Sequence, residues 1–246
     1  MSAPRLCVEE LGGELAAARD VSLPAAAAHH AANVLRLRAG DRLTLFTGAA
    51  GEFAATIVHI DRRGVSVHVE AFIDVEREAV LTTTLVQAIA ASDAMEYAIR
   101  KSVELGASAV QPVTTARSAP LPAGPRAAQR HERWRNIAIA ACEQCGRNRL
   151  PDIRATMPLA EWLGARDAAA PGIVLAPDVT RSLAQLPPPG SLDILIGSEG
   201  GLTADEIARA ADAGLTPVRL GARVLRTETA GPAALAAAHA LWGDFR

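Results

Sequence analysis

Two hydrophobic rhythms divide the chain. Up to about residue 73, apolar and polar positions alternate. In RLTLFTG (42–48) Leu43 and Leu45 have polar neighbours, and in VSVHVEA (65–71) Val65, Val67 and Val69 share one face. A period of two predicts half-buried antiparallel strands. HIDRRGVSV supplies a turn between two of them, with Gly64 free to take a positive φ. One short helix interrupts the strands. Pro24 suits its first turn, alanines follow, and NVLRLRAGD closes it. Residues 1–73 are expected to form a small barrel of short strands.

Charged DVEREA (74–79) marks a change of style. Beyond it, near-continuous apolar runs alternate with helical patterns. LTTTLVQAIA (81–90) leads to SDAMEYAIRKSVELG, where Ser92 is the expected N-cap, Met95, Ile99 and Val103 recur near one face, and Gly106 ends the helix. AVQPV, GIVLAP, DILIG and PVRLG follow as short apolar strands. Apolar strands covered by helices predict a parallel sheet. Residues 74–246 are therefore expected to be α/β, with a ligand site beyond the carboxyl ends of the strands.

Half of the 246 residues are hydrophobic, enough for real cores. No apolar leader region opens the chain, and no run is long and apolar enough to cross a bilayer. Three cysteines fit a reducing compartment better than a disulfide framework. A soluble, cytoplasmic protein is expected. The net charge of −2 argues against an all-over polyanion binder. Charge is uneven, however: seven arginines against Glu132 and Glu143 give residues 117–149 a net +5, a patch able to hold a phosphate backbone. Lys101 is the sole lysine. Aromatic residues make up 3 %, too few to build stacking platforms for single-stranded nucleic acid, so any RNA would be read by shape and phosphate.

Candidate chemistry concentrates at two glycine-bearing strand ends, DILIGSEGG and PVRLGARVLRTETAG. After the first, Thr203 and Glu206 form a T-x-x-E capping box that sets the next helix start. The loop is neither a Walker loop nor a dinucleotide fingerprint, since the lysine and the G-x-G-x-x-G spacing are missing. Glu199 would repel phosphate, so a neutral or cationic ligand is expected.

IGSEGGLTADEI followed by LGARVLRTETA resembles the C-terminal signature of the SPOUT methyltransferases, and more narrowly the RsmE-type 16S rRNA uridine-N3 methyltransferases. HHAANVLRLRAGD, AIRKSVELGASAVQPVTTARS and ACEQCGRNRLPDI agree in the same order. The first of these segments contains His29 and His30, which an exposed helix face explains as readily. Ser198 departs from the family, which usually has Pro there. A slightly softer loop with retained binding is expected. The resemblance implies a PUA-like β-barrel domain over 1–73, a SPOUT domain with a deep trefoil knot over 74–246, a homodimer, and S-adenosylmethionine held in the knot loops. Carried over, the cofactor residues are Leu175, Ala176, Ile196, Gly197, Glu199, Gly200, Gly201, Leu220, Gly221, Val224 and Leu225.

Uracil N3 carries a proton that must leave before attack, and each pKa unit of deficit costs about 1.4 kcal/mol. Arg226 is the candidate for stabilising charge on the uracil oxygens, and Glu228 or Glu199 for accepting the proton. Arg5, Arg36, Arg38, Arg130, Arg133 and Arg147 are assigned to RNA phosphate or a dimer seam. Cys142 and Cys145 have thioredoxin spacing but end a helix, where the dipole disfavours a thiolate, and zinc would need two further ligands. No metal is expected. Two alternatives stay open: methylation of a ribose 2′-hydroxyl or a tRNA base, and a non-catalytic RNA-binding assembly factor.

Overall fold

The computed structural model describes residues 3–119 and 124–245. The chain divides into two compact units, Met1–Glu78 with Cys142–Leu150, and Ala79–Ala141 with Pro151–Arg246. The first unit therefore takes in DVERE and a later segment, both of which the sequence reading placed in the second domain.

In the first unit β1 (Arg5–Cys7), β2 (Arg19–Ser22), β3 (Arg42–Phe46), β4 (Glu52–Asp61) and β5 (Gly64–Ile73) form one sheet in the order β1-β3-β4-β5-β2. β1 runs parallel to β3 and the other pairs are antiparallel. The hairpin strands β4 and β5 have ten residues each, longer than expected, and register shifts at Ala54/Ala55 and Ile57/His59 bend them. Gly64 closes the hairpin at φ +146°. The expected face is buried: Val65 and Val67 join Leu43, Leu45 and Ile57 beneath α1 (Ala25–His29). That helix does not end simply. It runs on as a π-turn over His30–Val34, and Arg36 follows at φ +54°, a left-handed conformation rare for a side-chain-bearing residue.

Charged side chains tie the late segment into this unit. Glu52, 7 % exposed, receives guanidinium donors from both Arg5 and Arg77. Arg5 also donates to Asn148 Oδ1 at 2.6 Å, and Asn148 donates back to the Val75 carbonyl at 3.0 Å. Arg147 pairs with Glu78, and Arg149 with Glu76 at 2.7 Å. The assignment of Arg5 and Arg147 to RNA is corrected by these contacts. Arg147 is 5 % exposed, and both guanidinium groups are spent on buried or half-buried carboxylates. Moving them to a phosphate would strand those carboxylates in a poorly solvated place.

The second unit is an all-parallel sheet. Its strands are β6 (Thr82–Ala88), β7 (Ala109–Thr114), β8 (Asp152–Ile153), β9 (Met157–Pro158), β10 (Gly172–Leu175), β11 (Ser191–Ile196) and β12 (Thr216–Val218). The order is β12-β10-β11-β6-β7-β8, with β9 also on β7. Register aligns Val86, Leu195 and Val174 on one face, against Trp162 and Leu163 of α4 (Leu159–Ala165) and Ala210 of α5 (Ala204–Asp212). Leu85, Ile194 and Ile173 point the other way. There α6 (Thr227–Trp242) brings Gly231 so close that a Cβ would stand 3.0 Å from Leu85. Both faces being covered explains why these strands read as continuous apolar runs.

α2 (Ser92–Glu104) buries Met95, Ile99 and Val103 as expected, and Gly106 follows at φ +86°. Its N-cap is Ala91 rather than Ser92. The Glu199 carboxylate accepts the Ala91 N–H at 2.7 Å, and the Ser92 hydroxyl turns to Glu96 instead. α3 (Pro125–Cys145) ends at the cysteine pair, and burial pushes the Cys142 thiol up to about 12, far from a reactive thiolate.

Candidate active site

Three strand ends meet in one cleft of about 590 Å³, a size suited to a small organic ligand. β10 delivers Leu175 and Ala176, β11 delivers Ile196, Gly197, Glu199, Gly200 and Gly201, and the loop after β12 delivers Leu220, Gly221, Val224 and Leu225. Arg226 and Glu228 line the same cleft. Residues scattered over fifty positions of sequence thus share one concavity at the carboxyl edge of the sheet.

The β11 loop is held from several directions. Gly201 N–H donates to the Ser198 carbonyl at 2.9 Å, closing a turn. A Cβ on Gly197 would sit 2.8 Å from Leu202 N and 2.9 Å from Gly201 C, so the loop folds back where only hydrogen fits. Beneath it, Gln87 donates to Thr227 Oγ1 at 2.8 Å, and Thr227 donates to the Gly197 carbonyl at 2.5 Å. This buried chain joins β6, the glycine loop and the first residue of α6. The capping box forms as expected, with Thr203 Oγ1 accepting from Glu206 N–H and the Glu206 carboxylate accepting from Thr203 N–H.

Ser198 does more than the sequence suggested. Its hydroxyl, buried, donates to the Arg117 carbonyl at 3.0 Å, a bond proline could not make. Sequence reasoning missed Arg117, Asp178, Arg219 and Arg223 as lining residues. The glycine signature carried no signal for Arg117, which arrives from the loop after β7.

Arg226 is exposed at the start of α6 and makes no ion pair with Glu228 among the described residues. Glu228 lies one residue into the helix, half-buried, with no hydrogen-bond partner among the described residues. Glu199, by contrast, spends one carboxylate oxygen on Ala91 N–H. A cation and a carboxylate, both uncommitted, thus stand at one rim of a cleft with apolar walls at Ile196, Leu220 and Leu225. Open space at Gly201 and Gly221, where an added Cβ would meet nothing within 4 Å, leaves the backbone accessible to a flat or extended ligand.

The other arginines of the sequence reading lie elsewhere. Arg36 and Arg38 are exposed in the first unit. On α3, Arg133 pairs with Glu96 at 2.6 Å and Arg130 stands over the Trp134 ring at 6.0 Å.

Comparison with known proteins gives the same two-part picture. A family model described as RNA methyltransferase domain matches residues 77–239, and one described as RNA methyltransferase PUA domain matches 23–70. Ribosomal RNA small subunit methyltransferase E of Buchnera aphidicola subsp. Acyrthosiphon pisum is 32% identical over 219 residues, covering 89% of this chain and 87% of that protein. The Bacillus subtilis protein of the same name is 30% identical, covering 85% of each. Among solved structures, ribosomal RNA small subunit methyltransferase E of Neisseria gonorrhoeae, bound to S-adenosyl methionine, superposes with a TM-score of 0.92 at 35% identity, covering all of both chains. A Legionella pneumophila protein solved with bound SAM gives 0.93 at 34% identity, again over both entire chains.

Proposed function

The chain belongs to the ribosomal RNA small subunit methyltransferase E family, and from that premise we propose that it methylates N3 of a uridine in the 16S RNA of the small ribosomal subunit, with S-adenosylmethionine as donor. The observation that carries the reading is the cleft itself, where three strand-end loops gather a glycine turn, apolar walls and the uncommitted Arg226 and Glu228. The donor fits this chemistry. Accessible backbone at Gly201 and Gly221 suits the adenine and methionine ends, and Glu199 and Asp178 suit a cation.

S-adenosylmethionine supplies a methyl group made electrophilic by a sulfonium sulfur. The protein has to position the uracil and deal with its proton. Arg226 places a permanent positive charge beside the uracil oxygens and favours the N3 anion. Glu228, whose carboxylate has no partner among the described residues, accepts the N3 proton. A new N3–CH3 bond then forms as the S–CH3 bond breaks, and the proton ends on the carboxylate. Exposed Arg36 and Arg38, with Arg130 and Arg133 on α3, supply phosphate contacts to the RNA.

The trefoil knot belongs to this proposal. It is supported by β12 lying beside β10 rather than beyond β11, so that the chain crosses back before α6 returns against the sheet. A cytoplasmic homodimer is likewise proposed. Exposed Tyr97 on α2, Leu241 in the last turn of α6 and Phe245 just beyond it offer apolar surface for a second copy. No helix among the described residues is long and apolar enough to cross a membrane.

The test is direct. The protein is incubated with labelled S-adenosylmethionine and small subunits lacking the modification, and the RNA is digested to nucleosides. Label in 3-methyluridine is the expected result. Label in a 2′-O-methylated nucleoside would replace the base by the ribose, and no label with cofactor bound would leave an assembly factor.

A further inference from the structure

Arg117 enters the cleft from the loop after β7, two strands away from the glycine loop of β11. It is exposed, yet it is held on every side. The Ala116 N–H donates to Glu206 Oε1 at 2.7 Å. Ser198 Oγ donates to the Arg117 carbonyl at 3.0 Å, and Thr115 N–H donates to Ser118 Oγ at 3.1 Å, closing the turn. The guanidinium Nη1 donates to the Gly200 carbonyl at 2.8 Å. A Cβ on Gly200 would stand 3.0 Å from Arg117 Cβ and 3.3 Å from its Cδ. The aliphatic stem therefore lies across Gly200, and a side chain there would push it back by a few tenths of an ångström.

An arginine side chain gives up about 2 kcal/mol of rotamer freedom when immobilised. Some exposed arginines rest on carboxylates, Arg154 on Asp152 and Arg209 on Asp205. Arg117 has no such partner among the described residues. One of its five N–H donors is used on Gly200, and the others remain for a ligand. A planar fork of free donors, already oriented, matches two oxygens of a phosphate. Arg219 and Arg223 line the cleft from the β12 side and also lack carboxylate partners among the described residues.

We propose that Arg117 is a substrate-positioning residue that grips a backbone phosphate next to the target nucleotide, on the β7 side of the cleft mouth. The proposal rests on the RNA methyltransferase reading above and assigns one side of its substrate path. The glycine loop then serves two neighbours at once, carrying the donor site on one flank and seating the phosphate-binding arginine on the other.

Binding tests it. Affinity for unmodified small subunits is measured by filter binding at several potassium chloride concentrations, with cofactor affinity measured by calorimetry. Arg117→Ala is expected to weaken subunit binding about tenfold and to lower the slope of log affinity against log salt by about 0.7–0.9, one phosphate contact. Its cofactor affinity should stay within about twofold, which also shows that the fold is intact. Arg117→Lys should restore the salt slope but not the full affinity, because the fork is lost. Unchanged subunit affinity and slope in Arg117→Ala overturns the proposal. A tenfold loss of cofactor affinity overturns it as well, by placing the guanidinium on the methionine carboxylate. Because binding is read rather than turnover, a wild-type protein that binds subunits without methylating them sinks the proposed reaction and leaves this comparison standing.

Discussion

Gly197, Gly200, Gly201 and Gly221 are glycines for three different reasons. Gly197 lies where the loop backbone doubles back on Leu202, Gly200 lies under the Arg117 stem, and Gly201 and Gly221 hold φ of +71° and +72° beside open space. The sequence marks all four alike, because spacing records that a side chain is absent and not what fills its place. Gly197→Ala must shift backbone rather than a flexible side chain. We expect a loss of about 1–3 kcal/mol in denaturant stability together with weakened cofactor binding. Unaltered cofactor affinity would mean that the loop absorbs a methyl group, and would contradict the close approach described. Arg226 poses the opposite case, a side chain with no partner among the described residues. Its replacement by Ala should abolish methyl transfer with cofactor affinity and unfolding midpoint nearly unchanged. Loss of cofactor binding along with turnover would make Arg226 a cofactor ligand instead.

At the level of elements, Glu206 is shared between α5 and the β7 loop. One carboxylate oxygen caps the helix through Thr203 N–H, and the other accepts the Ala116 N–H. Thr203→Ala removes only the cap and should cost about 1 kcal/mol. Glu206→Ala also leaves the Ala116 N–H without its partner, so a larger cost in urea unfolding is expected. Equal costs would show that the β7 loop is held by other bonds. Much at this scale was legible. The capping box, the parallel strands and the cleft at their carboxyl ends all follow from periodicity and from T-x-x-E. The cap of α2 was not, because the group serving Ala91 is Glu199, 108 positions away. The π-turn after α1 was equally hidden, since alanine-rich sequence suits either helix. Arg5 and Arg147 misled for a related reason. A run of arginines shows charge, but burial depends on where Glu52 and Glu78 fall once the chain has folded.

In the molecule as a whole, Glu52 links stability to pH. Burial pulls its carboxyl upward, but hydrogen bonds from Arg77 and Arg5 and their positive charges outweigh that and hold it below the ordinary range. A depressed folded value means that the contribution is complete above the unfolded titration near pH 4.3 and is lost as pH falls through the folded value. Glu143 works in the other sense. Burial raises it, so the folded state gains stability as that carboxyl takes up its proton. Glu52→Gln should cost on the order of 3 kcal/mol at pH 7, leaving two guanidinium groups uncompensated, and the deficit should shrink in acid as the parent loses the same charge. A deficit independent of pH in thermal unfolding would assign the effect to packing. The same cluster carries a consequence for how the chain is made. Arg5, Glu52 and Arg77 emerge early, but Asn148 and Arg147, which complete the first unit with them, are translated only after all of α3. At roughly 5–20 residues per second, the amino-terminal unit waits on the order of ten seconds for its last segment. It is first in the message, yet it cannot be finished first: its apolar core closes between Leu6 and Val67, while Arg5 and Glu78 wait through that delay for their late partners.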